Sequence, residues 1–181
     1  MDDREILEKF KQDSSKNWAF AQLMNKYQKR IYMHIRKMVI DHDDADDLTQ
    51  EVFVKVWHHL ESFRNHSSLF TWLYRIASNE CLNFLNRKRR RFLVPICDVQ
   101  KELTSKLENQ WTFSGDEIQL KLQKALLTLP DKQRLVFNLR YYEELSYEEI
   151  SAITGTSVGA LKASYHHAVK KVEEYLTKNE L

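Results

Sequence analysis

Apolar residues recur at three- and four-residue steps over most of the chain, the period of an amphipathic helix. Phe20, Leu23, Met24, Tyr27, Ile31, Ile35 and Met38 form one stripe. The acidic cluster Asp41-His42-Asp43-Asp44 then supplies turn and N-cap chemistry for a second helix. That helix turns Leu48, Val52, Phe53, Val56, Trp57 and Leu60 inward and leaves Asp47, Gln50, Glu51 and Lys55 outward. Ser62 to Ser68 is a polar break. A third helix is predicted from about Leu69 to Arg90, with Leu73, Ile76, Ala77, Phe84 and Leu85 as core candidates.

The periodicity fades over residues 92–116, where Val94-Pro95-Ile96 is expected to be extended. This segment reads as a linker holding at most a short helical piece. Beyond it the helical pattern returns. Ile118, Leu122, Ala125, Leu126 and Leu129 form one stripe, Pro130-Asp131 restarts the chain, and Leu135, Val136 and Leu139 form the next. Ser146-Tyr147-Glu148-Glu149 carries the capping-box spacing, Gly155 suits a left-handed C-terminal position, and Ser157 caps a longer helix over about Val158–Leu176. A short helix, a glycine turn and a longer helix predict a helix-turn-helix. The expected fold is all-α: two small helical domains, 1–91 and 117–181, joined by a flexible linker, 92–116, the C-terminal one with the helix-turn-helix.

Composition narrows this picture. In 181 residues there are only 3 glycines and 2 prolines, which disfavours a turn-rich β fold. No apolar run approaches the length of a membrane span, and the charged start Met1-Asp2-Asp3-Arg4-Glu5 is no secretory signal. Membrane insertion is not expected, and Cys81 and Cys97 read as reduced thiols of a cytoplasmic protein. The net charge of +2 hides a basic front half, an acidic middle and a mixed back half. The run Arg87-Lys88-Arg89-Arg90-Arg91 exceeds what a helix end needs and points to phosphate contact.

Two stretches carry nucleic-acid chemistry. From Phe63 to Arg91, aromatic residues alternate with Arg64, Arg75 and Arg87 and with Asn65, Asn79, Asn83 and Asn86, a mixture suited to unstacked bases. Phe70, Trp72 and Tyr74 are equally core candidates. On the last helix, small residues follow Ser157, while Lys162, Ala163, His166, His167 and Lys170 are placed to face a groove.

Four segments share a resemblance. Asp44-Ala45-Asp46-Asp47-Leu48-Thr49-Gln50-Glu51-Val52-Phe53 resembles the signature helix of sigma domain two, and Thr71-Trp72-Leu73-Tyr74-Arg75-Ile76-Ala77-Ser78-Asn79 its promoter-melting segment. Leu129 to Phe137, then Tyr147-Glu148-Glu149-Ile150 with Ser157 to Lys162, resemble sigma domain four. In this order they identify the chain as similar to RNA polymerase sigma factors. With neither a separate third domain nor a long N-terminal extension expected, they point to the extracytoplasmic-function class.

The resemblance implies a transcription initiation factor, not an enzyme, needing no cofactor or metal. Asp47, Gln50 and Glu51 would dock on the clamp helices of the polymerase β′ subunit. The loop Phe63–Ser68 would capture a flipped base of the minus-ten element, Phe63 giving an apolar wall and Asn65, His66 and Ser67 hydrogen-bonding edges. Asn79 falls where the family has an asparagine near that element, with Asn83, Arg87 and Lys88 further along the same helix. Domain four would bind the β flap and read the minus-thirty-five element through Ser157, Lys162, Ala163, His166, His167 and Lys170. His166-His167 stand where many relatives have an arginine. An anti-sigma factor is an expected partner. The rival reading is a free-standing helix-turn-helix regulator, which would bind its operator without polymerase, usually as a dimer. No catalytic constellation competes: His58 and His59 are adjacent and diverge around a helix, and there is no phosphate-binding loop motif.

Overall fold

A computed structural model describes residues 2–64, 66–91, 96–111 and 117–178; for residues 91, 96–100 and 109–111 it describes the backbone alone. Among the described residues all regular structure is helical. The front half holds α1 (Asp3–Phe10), α2 (Lys16–Val39), α3 (His42–His59), a 3-10 turn at Leu60–Ser62, and α4 (Leu69–Arg91). The predicted stripe of α2 is the core: Leu23, Tyr27, Ile31, Ile35 and Met38 are buried, and Phe20 and Met24 pack at its margin. The rings of Phe10 and Phe20 meet Trp57 edge-on at 5.3 and 5.0 Å, tying α1 and α2 to α3.

A tight reversal sets the entry of α3. Ile40 has φ +68° and ψ −41°, and the Asp41 N–H reaches back to the Val39 carbonyl at 2.8 Å. This is the rarer, positive-φ form of the γ-turn, costly for a β-branched residue. Ile40 is buried, and the reversal delivers Asp41 as N-cap, its Oδ1 accepting from the Asp44 N–H at 3.0 Å.

Residues 96–111 form a sixteen-residue helix, α5 (Ile96–Trp111), where the sequence pattern predicts a largely aperiodic linker. Leu103 and Leu107, one turn apart, are its buried residues among those whose side chains are described. Ion pairs to other elements add to its hold: Lys106 to Asp41 at 3.0 Å, Glu102 to Lys88 at 3.0 Å and Glu108 to Lys124 at 2.6 Å. The extended stretch expected at Val94-Pro95 lies outside the described residues.

The back half comprises α6 (Glu117–Leu127), α7 (Asp131–Tyr141), α8 (Tyr147–Thr154) and α9 (Val158–Lys178). Ile118, predicted to open the buried stripe of α6, is instead 81% exposed; Leu120 and Leu122 are partly buried, and full burial begins with Ala125 and Leu126. The capping box forms, Ser146 Oγ accepting from the Glu149 N–H and Glu149 Oε2 from the Ser146 N–H at 3.2 and 2.8 Å. These bonds, the backbone one first, hold the Glu149 carboxyl below its usual pKa. Gly155 closes α8 in the left-handed conformation, φ +70°.

The two halves touch. α8 packs on α4 and α7 on α2, so that Leu135, Val136, Leu139, Ile150 and Ile153 share a core with the front helices. Arg134 is fully buried and its Nη2 donates to the Met38 carbonyl at 2.9 Å. A second core, with Leu126, Leu129, Phe137, Ala168 and Val172, lies within the back half.

Candidate nucleic-acid interface

Three surfaces carry the candidate residues. The first is the outer face of α3, where Asp47, Gln50 and Glu51 are exposed while Val52, Phe53 and Val56 are buried, as helical spacing requires. Val54, 56% exposed, lies between them and Lys55 and gives the acidic face an apolar centre. The sequence reading passed over Val54; its signal was its place three residues beyond Glu51 on a face otherwise polar. The charges around it differ in how they are tied: Arg87 Nη2 is 4.0 Å from Glu51, whereas Lys55 pairs closely with Glu80 at 2.6 Å.

The second surface is the loop before α4 and that helix's outer edge. Phe63 is half-buried, its ring 5.2 Å from Trp72; Asn65 lies outside the described residues; His66 is exposed. Ser68 Oγ accepts from the Thr71 N–H at 3.1 Å and caps α4. Asn79, Asn83 and Arg87 are exposed at successive four-residue steps, forming one polar ridge. Tyr74 belongs to the core, with the Phe70 ring tilted against it at 4.2 Å. The basic run divides. Arg87 and Arg90 are exposed, but Lys88 turns inward between Asp44 and Glu102, at 3.6 and 3.0 Å, and Arg89 pairs with Asp131. Lys88, a sequence-based candidate for DNA, is thus satisfied within the fold, its side chain 11% exposed.

The third surface is the helix-turn-helix. Leu161, Ala168 and Val172 face the core and Tyr165 stacks on Phe137 at 5.7 Å. Ser157, just before α9, and Lys162, Ala163, His166, His167 and Lys170 on it are all exposed. Lys162 leans over the Tyr147 ring, 5.8 Å from its centroid, which steadies a flexible chain at the start of the helix. Exposed Gly159 and Ala160 leave that end sterically open.

Two titratable groups inside the fold are held neutral by burial. Burial pushes the Cys81 thiol far up, leaving it un-ionised, and lowers buried His34 to about 4, so it is neutral at physiological pH. Among the described residues no group of His, Cys, Asp or Glu is gathered as a metal site.

Residues 23–91 match the Sigma-70 region 2 family and residues 119–172 the Sigma-70, region 4 family. The chain is 31% identical to the RNA polymerase sigma-H factor of Pseudomonas aeruginosa, over 96% of this chain and 93% of that one. It is 33% identical to the RNA polymerase sigma factor YlaC of Bacillus subtilis, over 89% and 94%. The chain belongs to the RNA polymerase sigma factors, in their extracytoplasmic-function class. Similarity extends to the ECF sigma-E factor of Escherichia coli strain K12, 29% identical over 94% and 92%. Among solved structures, CnrH in complex with the cytosolic domain of CnrY covers 98% of both chains at 25% identity and TM-score 0.69. The sigma factor RpoE of Bartonella quintana, solved with the anti-sigma factor NepR, has the same fold, with TM-score 0.67 at 24% identity over 88% and 98%. As a sigma factor this protein is not an enzyme; it binds core RNA polymerase and promoter DNA and directs promoter recognition. Region 2 holds the α3 face and the α4 ridge, region 4 holds the helix-turn-helix, and α5 lies between the two matches.

Proposed function

We propose that the three surfaces divide the work of initiation. The outer face of α3, with Asp47, Gln50, Glu51 and Val54, docks on the clamp helices of β′. Phe63, Asn65 and His66, with the ridge Asn79, Asn83 and Arg87, read the minus-ten element and hold its melted strand. Ser157, with Lys162, Ala163, His166, His167 and Lys170 on α9, engages the minus-thirty-five element, and the rest of the back half meets the β flap. The observation that carries this division is the exposure of the α3 set, of the α4 ridge and of the α9 set each on one side of its helix, with the opposite side buried. Base edges and phosphates can be met only by side chains so presented.

Each half is proposed to fold as a domain, 1–91 and 117–181, with the segment between them as connector. An anti-sigma factor is a proposed partner, in keeping with the complex of the Bartonella relative. A cytoplasmic location follows from the proposed work on DNA; no described helix is long and apolar enough to cross a membrane. Run-off transcription with purified core polymerase on genomic fragments tests the whole reading. Transcripts that start at discrete sites only when the protein is present are expected. Binding of a DNA site without polymerase, and no stimulation of core, would establish a free-standing regulator instead.

A further inference from the structure

The two halves of the molecule meet on one carboxylate. Glu143 lies in the turn between α7 and α8, and its side chain is only 11% exposed. Its Oε2 accepts from the Tyr74 hydroxyl at 2.8 Å and lies 3.4 Å from Arg30 Nη2; its Oε1 is 3.5 Å from Lys37 Nζ. All three donors belong to α2 and α4. Burial alone would raise the Glu143 carboxyl, but the Tyr74 hydroxyl and then Lys37 outweigh it, and the group stays ionised at neutral pH.

The notch that receives Glu143 is largely built by the front half. Arg30 lies over the Phe70 ring at 4.9 Å, Phe70 leans on Tyr74, and Tyr74 rests 4.9 Å from His34, which is bonded to Ser78 at 3.0 Å. Those helices bring no carboxylate of their own to it. α2 carries six Lys and Arg and no Asp or Glu; α4 carries six and one acid, Glu80, which pairs with Lys55. Two cations and a phenol converging on two carboxylate oxygens form the environment that two non-bridging phosphate oxygens require.

We propose that the notch of Arg30, Lys37 and Tyr74 is a phosphate site for promoter DNA, filled in the free chain by Glu143, which thereby holds the molecule closed. This rests on the reading of the chain as a promoter-binding factor. The closed form sets α8 directly on α4, with Arg75 Nε donating to the Ala152 carbonyl at 3.1 Å. Elements about 25 base pairs apart are separated by roughly 85 Å along a duplex rising 3.4 Å per pair, so both cannot be held until the halves part. Parting withdraws Glu143 with region 4 and leaves the notch for a phosphate.

The test uses the full chain, with Glu143→Gln, which keeps the shape and removes the charge, and Glu144→Gln as control for net charge. The probe is a fluorescent single-stranded oligonucleotide of mixed sequence, titrated over a range of salt, while a dye pair across the two halves reports their separation. Glu143→Gln is expected to part the halves and tighten oligonucleotide binding. The slope of log affinity against log salt should steepen by about 0.7 for each phosphate gained on a single strand. Arg30→Gln or Lys37→Gln, each added to Glu143→Gln, should abolish the gain. Parting without a gain, or a gain reproduced by Glu144→Gln, would overturn the phosphate site; a gain without parting would overturn the closure. Wild-type run-off transcription is scored separately: its absence would refute the promoter-factor reading whatever the oligonucleotide shows.

Discussion

Glu51 and His34 show how differently a single residue can matter in this fold. Glu51 is exposed and its ion pair with Arg87 is long, so it contributes little to folding. Glu51→Lys is expected to change stability by less than about 0.5 kcal/mol but to weaken core-polymerase binding by roughly tenfold, as placing a like charge at a docking face does. Unchanged capture of core by the variant would remove α3 from the docking surface. His34, by contrast, is buried among Ser78, Tyr74, Lys37 and Glu143 and held near 4 by burial. Its folded pKa lies below the ordinary 6.5, so the unfolded chain takes up a proton that the folded chain refuses. Stability is therefore full above 6.5 and is lost as pH falls from there toward 4, by about 2 kcal/mol between pH 7 and 5. Glu143, whose carboxyl is lowered, adds its own loss only below its ordinary 4.5, so the window from 7 to 5 isolates the histidine. Urea unfolding at the two pH values should show the drop, and His34→Gln should flatten it. The exposure of Asp47, Gln50 and Glu51 was legible because helical period alone decides it. The inward turn of Lys88 was not: its partners Asp44 and Glu102 are distant in sequence, and a run of five cations looks the same whether or not acids fold over it.

At the scale of elements, the helix-turn-helix was legible almost to the residue, because its signals are local. Ser146, Glu149 and Gly155 each act within one turn of their own position, and each adopts the geometry its spacing implies. Their contributions can be measured separately. Ser146→Ala should cost about 1 kcal/mol as the cap is lost. Gly155→Ala should cost roughly as much through backbone strain alone, since a Cβ there meets nothing within 4 Å. Equilibrium denaturation reads both; a Gly155→Ala variant as stable as wild type would mean that the turn relaxes. The helix α5 was illegible for the opposite reason: Leu103 and Leu107 give too short a stripe to stand out, and much of what holds it comes from Lys88, Asp41 and Lys124 on other helices. On α9, Lys162→Ala should reduce transcription from promoters that depend on the minus-thirty-five element while leaving core binding intact. A loss of about 1–3 kcal/mol of discrimination at one base position would show base reading; an even loss with a shallower salt slope would show a phosphate contact. Normal transcription from every promoter would take this face of α9 off the DNA.

For the molecule as a whole, the question is how firmly region 4 is bound to region 2. Nothing in a linear pattern could show this contact, because each stripe is satisfied on paper within its own half and a buried Arg134 reads as a surface cation. The structure joins them by an apolar seam and by polar contacts: Arg134 to Met38, Arg75 to Ala152, and Glu143 to Tyr74, Arg30 and Lys37. Halves that share a core should unfold together, whereas halves held only loosely should unfold in turn. Tryptophan fluorescence can follow one of them, since Trp18, Trp57 and Trp72 lie in the front half and Trp111→Phe removes the fourth. Far-ultraviolet circular dichroism follows the helices of both. In wild type the two thermal transitions are expected to coincide. With Glu143→Gln they should separate, because the polar clasp is loosened while each half keeps its own interior. Coincidence in both proteins would mean that the apolar seam alone couples the halves and that opening needs polymerase to force it. Separation already in wild type would mean that the free chain opens readily by itself, and that Glu143 competes with DNA only weakly.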